Sequence, residues 1–409
     1  MAEKLLIKQA SIHNAIDREV FVADVLVAKG KIVKIEEMIT GGETNDADVL
    51  DAYGYDLYPG FVDAHCHLGL DGYAIEYPGQ DFNEMNDPIT PQLSAVDGIN
   101  PQDETFRMAR EGGVTCVATG PGSSNVIGGT FCVIKTYGER VDDMLLKEKA
   151  GMKIAFGENP KNCYREKGVS SRMSIAAKLR EMFSKAKIYQ KKLEAAGYPG
   201  RTDYSKLPAY DAKLEALLPV LKKEMPIKAH AHRADDIFTA IRIAKEFDVD
   251  LRIDHTTDGS LIAEALAKEG YPVAVGPSFG HASKYELKNK GFHTVVDLVK
   301  AGCQVSVITD SPVTEGCYLA LCAGRAIYEG LDEFTALQAI TINAAKHIGV
   351  EANVGSIEVG KDGDFVLTKG SPFEVSSRIL YTIIEGKIVY SYDKSIKNRL
   401  YREEAGKVK

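Results

Sequence analysis

Between residue 57 and about residue 350 the chain alternates apolar strand segments with amphipathic helical ones. This alternation restricts it to folds built on a parallel sheet with right-handed crossovers. Eight strand candidates can be counted, at 57–64, 114–119, 130–136, 152–157, 226–230, 250–254, 272–276 and 304–309. Helical stretches separate most of them, among them 102–111, 142–149, 211–223, 235–247 and 260–268. Eight such repeats in about 290 residues predict an α/β fold of the (β/α)8 TIM-like barrel type, with insertions after the first and fourth strands.

The flanks differ in texture. Residues 1–57 read as short strands at 4–9, 20–28 and 31–36, and beyond Gly349 strand texture returns at 355–367, 379–385 and 387–391. Neither end has enough strands to bury a core by itself. Pairing them predicts a small composite β-sandwich domain, 1–57 plus 350–409, with a catalytic barrel, 58–349, inserted between its halves.

Composition narrows the function classes. The net charge of -8 argues against a nucleic-acid partner, which needs clustered Lys and Arg to neutralise phosphates. The Lys-rich run 178–192 reads as the solvated face of an amphipathic helix, with Ile175, Leu179, Met182, Ile188 and Leu193 near helical spacing. Seven cysteines form no Cys-x-x-Cys, and the odd count suits a reducing compartment. No segment approaches the ~20 apolar residues of a membrane span, and the first residues do not form a signal peptide. The expectation is a cytoplasmic protein acting on a small molecule, with no nucleic-acid or membrane partner; a homo-oligomer is compatible with it.

Histidines then point to chemistry. Residues Tyr58 to His67 read Tyr-Pro-Gly-Phe-Val-Asp-Ala-His-Cys-His, a turn, a short strand and two histidines one residue apart. Strand side chains alternate, so His65 and His67 project to one face about 7 Å apart, close enough to share a cation. Nine histidines should give roughly 0.2 such pairs by chance, yet His230/His232 makes a second. In the predicted barrel His65 and His67 end strand one, His230 and His232 strand five, His255 strand six and Asp310 strand eight. All therefore fall at the same mouth, where barrel enzymes place their sites. Imidazoles and a carboxylate in four- or five-fold coordination suit zinc, with iron and manganese as alternatives.

The order His-x-His, His, His, Asp on strands one, five, six and eight, flanked by a split sandwich, resembles the amidohydrolase superfamily of metal-dependent hydrolases. The entering phrase at 58–67 and the leaving phrase Gly-Ser-Ile-Glu-Val-Gly-Lys-Asp-Gly-Asp, 355–364, extend the resemblance over nearly the whole chain. Ala-Phe-Gly-Glu-Asn-Pro-Lys, 155–161, and His-Ala-His-Arg-Ala-Asp-Asp, 230–236, are similar to the imidazolonepropionase-related branch. The resemblance implies one or two divalent ions held by His65, His67, His230, His255 and Asp310. Such an ion lowers the pKa of its water towards ~7 and polarises a carbonyl. Asp310 would then be the general base, with His255 beside it at the ion.

Other positions follow from the same placement. His230 directly follows its strand and is favoured as a ligand, whereas His232 lies further out, at the substrate or behind a ligand. Two-ion members of the superfamily bridge their ions with a carboxylated Lys or a Glu, for which Lys135, Lys153 and Glu158 are the choices. Lys153 opens its predicted strand and should lie at the barrel bottom, about 15 Å or more from the mouth. Glu158 follows the strand and is expected to bridge the ions or bind substrate. His281 is expected to touch substrate or polarise its carbonyl, Arg233 to bind a substrate carboxylate, and Glu315 to line the pocket, while Tyr318 reads better as helix packing. His13, His293 and His347 lie off the strand ends and read as structural, and 120–129 as a flexible barrel loop.

The leading functional reading is hydrolysis of a C–N bond in an amide, cyclic amide or peptide-like small molecule. Deamination of a cyclic amidine is the alternative. A scaffold that has lost its chemistry is disfavoured, because the ligand set is complete.

Overall fold

The computed structural model describes residues 4–393, so the last part of the predicted composite domain lies outside the described residues. The chain opens with β1 (Lys4–Ile12), β2 (Phe21–Ala28), β3 (Lys31–Glu36), β4 (Asp48–Asp51) and β5 (Asp56–Pro59). It then builds β6 (Phe61–Cys66), β7 (Val114–Thr119), β8 (Ile127–Lys135), β9 (Leu145–Ala155), β10 (Ile227–Ala231), β11 (Leu251–His255), β12 (Val273–Val275) and β13 (Val305–Val307). It closes with β14 (Phe365–Lys369), β15 (Arg378–Ile384) and β16 (Lys387–Ser391). The strands of the two ends form one sheet, β16-β15-β14-β5-β1-β2-β3 with β4 on β1, and the eight between form the barrel.

The terminal sheet turns back on itself, for an isolated bridge Lys31↔Asp362 ties the start of β3 to the segment entering β14. Its enclosed core includes Ile7, Ile12, Val25, Leu57, Phe365 and Ile383. The first expected strand, 57–64, is in fact two. Gly60 separates β5, which pairs with β14, from β6 in the barrel. A Cβ at Gly60 would fall 2.1 Å from Thr115 Oγ1, so only glycine allows this close crossing between the sheets. Below the barrel Lys135 Nζ donates to Asp362 and Asp364 at 2.8 and 2.6 Å, a buried ion cluster that fastens β8 to the segment entering β14.

Strands β6 to β8 are buried along their whole length, as expected of strands covered on both faces. Around them pack amphipathic helices with side-chain caps: Asp103 accepts from Thr105 N, and Ser171 and Ser174 form a capping box at Arg172–Ala195. That long helix buries Ile175, Leu179, Phe183 and Leu193 and leaves its lysine-rich side to solvent, while Ile188 faces out.

The barrel departs from the all-parallel expectation in one place. β8 runs antiparallel to both β7 and β9. Only residues 120–126 join β7 to β8, too few for a crossover of a dozen residues or more. The helix expected at 142–149 stops as the short turn Val141–Met144, and β9 starts at Leu145. The ends of the barrel, β6 and β13, share no ladder among the described residues. They are joined instead by Asp310 N→His65 O (3.1 Å) and His67 N→Ser311 O (2.8 Å). The Asp63 carboxylate adds to the join by accepting from both the amide and the hydroxyl of Thr309.

Helix Ile342–Ile348 covers the barrel floor. Its Ala344, Ala345 and Ile348 join Val62, Ala64, Phe131, Ala274 and Ile308 in the inner core, and Asn343 Nδ2 donates to Val305 O at the foot of β13. All seven cysteines are free thiols. No described helix is long and apolar enough to cross a membrane.

Candidate metal centre

Backbone irregularities aim the site. The β6/β7 register slips between Asp63 and Cys66, a bulge that redirects His65. On β11, Asp254 is the register partner of His230, so both face the interior and a regular continuation would send His255 outward. Instead His255 and Thr256 adopt φ values of 77 and 46, and the imidazole swings over the mouth. Asp310 likewise has φ 54. Such left-handed backbone in residues with a Cβ costs on the order of 1 kcal/mol or more and collects at functional sites.

Two groups of ligand atoms result. His65, His67 and Asp310 form one and His230, His232 and His255 the other, each with its atoms within 4.8 Å of one another. The groups touch, since the His65 and His255 rings are 5.0 Å apart. Both Nε2 atoms of the first pair face Asp310 Oδ1, at 3.4 Å from His65 and 3.3 Å from His67.

Hydrogen bonds on the far side of each ring fix which nitrogen is free. His67 Nδ1 lies 2.7 Å from Gly120 O and His255 Nδ1 2.8 Å from Gly276 O. His65 Nδ1 lies 2.9 Å from Asp254 Oδ2. Carbonyls and carboxylates only accept, so each Nδ1 carries the proton and each Nε2 presents its lone pair to the centre. Gly276 has φ 146 and a Cβ there would fall 2.1 Å from Ile308 O, which makes it the glycine that delivers the His255 anchor. His255 Nε2, both nitrogens of His230 and Asp310 Oδ1 are buried with no hydrogen-bond partner. Unpaired buried polar atoms cost about 1–3 kcal/mol each, and several converging on one point fit a divalent cation.

The electrostatics agree with that fit. Burial, reinforced by neighbouring positive groups, pushes His65, His230 and His232 well below the ordinary imidazole range, and burial pushes His255 down to about 4. Neutral imidazoles are the form that binds metal. Burial acts to raise the Asp310 carboxyl, but His255, His67 and His65 outweigh it and hold it well below the usual carboxylate range.

Lys153 is not at the bottom of the barrel. β9 runs on to Ala155, so Lys153 lies near its upper end, fully buried, with Nζ 3.1 Å from His65 Nε2. Burial pushes this amine down to about 8. Lys135 lies at the opposite end because β8 is antiparallel, in the ion cluster with Asp362 and Asp364. Glu158 is turned away from the ligand groups: Glu286 N donates to its Oε1 and its own amide donates to Glu286 Oε2, both at 2.9 Å.

His232 is buried in the second ligand group, with Nδ1 2.7 Å from Thr257 Oγ1 and Nε2 4.0 Å from buried Glu286. His281 and Glu315 are exposed and are not brought to the ligand groups. Arg233 makes a two-point ion pair with Asp235 (2.9 and 2.8 Å), so its guanidinium is already engaged. Tyr318 is 47% exposed and adjoins the helix Leu319–Tyr328. His13 pairs with Asp56 and His293 begins a surface helix, but His347 is buried against Asp254, directly behind His65. Sequence reasoning missed Asp254, Glu286 and Phe82, which stacks on His67 with ring centroids 5.2 Å apart. Asp254 had a signal, a carboxylate next to a ligand in an apolar strand; Phe82, in a long insertion, had none.

Residues 57–389 match the family model described as "Amidohydrolase family". The chain belongs to the amidohydrolase family. An amidohydrolase from Thermotoga maritima MSB8, known from its crystal structure, superposes with a TM-score of 0.90 at 41% identity, over 95% of this chain and 100% of that one. Amidohydrolase tasK of Hapsidospora irregularis is 27% identical over 391 residues, 90% of this chain but only 40% of that protein. The imidazolonepropionase of Symbiobacterium thermophilum is 26% identical, covering 83% of this chain and 81% of its own. That similarity agrees with the imidazolonepropionase-related resemblance read from the sequence.

Proposed function

We propose that the protein is a divalent-metal-dependent hydrolase that cleaves a C–N bond in an amide, cyclic amide or peptide-like small molecule. The observation carrying this reading is the convergence of buried lone pairs without partners on His230, His255 and Asp310 beside the Nε2 atoms of His65 and His67, which face Asp310 Oδ1. His65, His67, His230, His255 and Asp310 are the ligands in this proposal, and zinc is the preferred ion. Membership of the amidohydrolase family supports the reaction class.

Lys153 replaces Glu158 as the proposed bridging residue. Its amine is aimed at the ligand atoms, whereas Glu158 is spent on Glu286. Carboxylated on Nζ by carbon dioxide, it would offer two oxygens between the His65 and His255 groups, which favours two ions over one.

When bound by these residues, a divalent ion would supply Lewis acidity toward the scissile carbonyl and a water made nucleophilic near neutral pH. The chain's own residues do the rest. Asp310, ionised and with Oδ1 free of hydrogen bonds, accepts the proton of the attacking water and returns it to the departing nitrogen. His232 stands at the substrate side, its orientation held by Thr257. Phe82 covers His67 and limits water on that flank.

Elemental analysis of the purified protein, followed by a screen of N-acyl amino acids, dipeptides and cyclic ureides with and without chelator, tests the proposal. The expected result is about two ions per chain and a chelator-sensitive hydrolysis. A protein that carries no divalent ion and takes up none on titration with zinc overturns it.

A further inference from the structure

Behind His65, on the opposite edge of its ring from Asp310, lie three buried ionisable side chains with no part in the proposed reaction. Asp254 Oδ2 is 2.9 Å from His65 Nδ1. Its other oxygen, Oδ1, takes two donors: Lys228 Nζ and His347 Nε2, each at 3.1 Å. Lys228 also donates to Ala64 O, in the strand that carries His65. All three are at most 1% exposed. They come from β10, β11 and the floor helix Ile342–Ile348, so the centre is connected to the base of the barrel through one carboxylate.

Removing a lysine and a carboxylate from water is costly, and a buried pair is weak evidence for stability by itself. Its geometry gives a specific alternative use. His67 and His255 are each fixed by a backbone carbonyl, but His65 is fixed by a carboxylate whose own orientation is set by two donors. We infer that Asp254 is a positioning residue that locks His65 with its proton on Nδ1 and its Nε2 lone pair toward the metal, and that Lys228 and His347 hold Asp254 in the orientation this requires. The inference rests on the metal-centre reading above.

The lock has a sharp consequence for an isosteric change. In Asp254→Asn the lysine and the histidine at the Oδ1 position both call for an acceptor, so the amide oxygen stays there and the NH2 faces His65. An NH2 donates, which forces His65 to accept at Nδ1 and to carry its proton on Nε2, where it blocks the metal. Loss of a second partner behind a ligand typically weakens metal binding about 10- to 100-fold.

The test is zinc affinity, read by competition with a chromophoric chelator, for the full-length wild type and Asp254→Asn, with thermal melts to establish folding. A folded Asp254→Asn protein that binds zinc about 10-fold or more weakly supports the inference, and wild-type affinity in that variant overturns it. Should Asp254→Asn not fold, His347→Leu carries the test, since it keeps the carboxylate and removes one of its two donors. A several-fold weaker zinc affinity is then expected, and an unchanged affinity overturns the inference. Failure of the wild type to bind zinc would instead defeat the metal centre itself.

Discussion

Asp310 joins two properties that usually conflict: its Oδ1 is buried, yet its neighbours keep it ionised. The Asp310→Asn variant loses the proton acceptor while keeping nearly the same volume. Turnover should fall by about 10² to 10⁴, as steady-state kinetics would show. Lys153→Met removes the proposed bridge, so the bound metal should drop from about two ions per chain to one or fewer by elemental analysis; an unchanged count would exclude Lys153 from the centre. At this scale the sequence was readable where a residue type carried the information. Histidine and aspartate at strand ends announced themselves. Lys153 was misplaced because its meaning depends on where β9 stops, and a buried strand end has no residue that marks it. Arg233, His281 and Glu315 stand on loops after their strands, where side-chain pattern does not say whether a loop faces the pocket or solvent.

At the scale of elements, the eight apolar runs were legible because strands buried on both faces have no alternative reading of comparable length. Their directions were not. The reversal of β8 follows from short connections, and only pairing reveals that 145–151 extends a strand instead of a helix. Equally hidden were the bulge before Cys66 and the left-handed turns at His255 and Asp310, since side-chain pattern says little about backbone sign. Gly276 links this level to the centre, because its carbonyl anchors His255 and its φ of 146 excludes a Cβ. Gly276→Ala should therefore shift the end of β12 against Ile308. We expect weaker zinc binding together with a lower melting temperature by roughly 1–3 kcal/mol of strain. A variant with wild-type affinity and stability would show that the loop yields without cost.

For the molecule as a whole, the histidine cluster sets the response to pH. His255 and His347 are each pushed down by burial from 6.5 to about 4, and His65, His230 and His232 also lie well below their ordinary value. Between about pH 4 and 6.5 the unfolded chain thus binds more protons than the folded one, so stability is full above this window and is lost as pH falls through it. For His255 and His347 the shifts correspond to roughly 3 kcal/mol each. Asp63, pushed up to about 7 by burial, acts in the opposite sense, holding a proton that an unfolded chain releases. Asp71 and Asp236 are raised in the same sense, but the imidazoles, joined by Asp254 and Asp310, which are held low, leave a net acid lability. The melting temperature of chelator-treated protein should fall steeply between pH 6.5 and 4.5, and a flat profile would refute this balance.

One feature of the barrel reaches beyond chemistry. Its first and last strands meet without a ladder, and Asp63 and Thr309, which bridge them, are 246 positions apart in the chain. Just above that junction stand His65 and Asp310, on opposite margins of the gap. An ion gripped by both would work as a hoop around staves, closing a very long loop where main-chain bonding is thin. Stripped of it, the cylinder should begin to part there, with amide exchange at 61–66 and 305–310 quickening before the other staves respond. Exchange that rises evenly around the ring would mean the hoop is not needed.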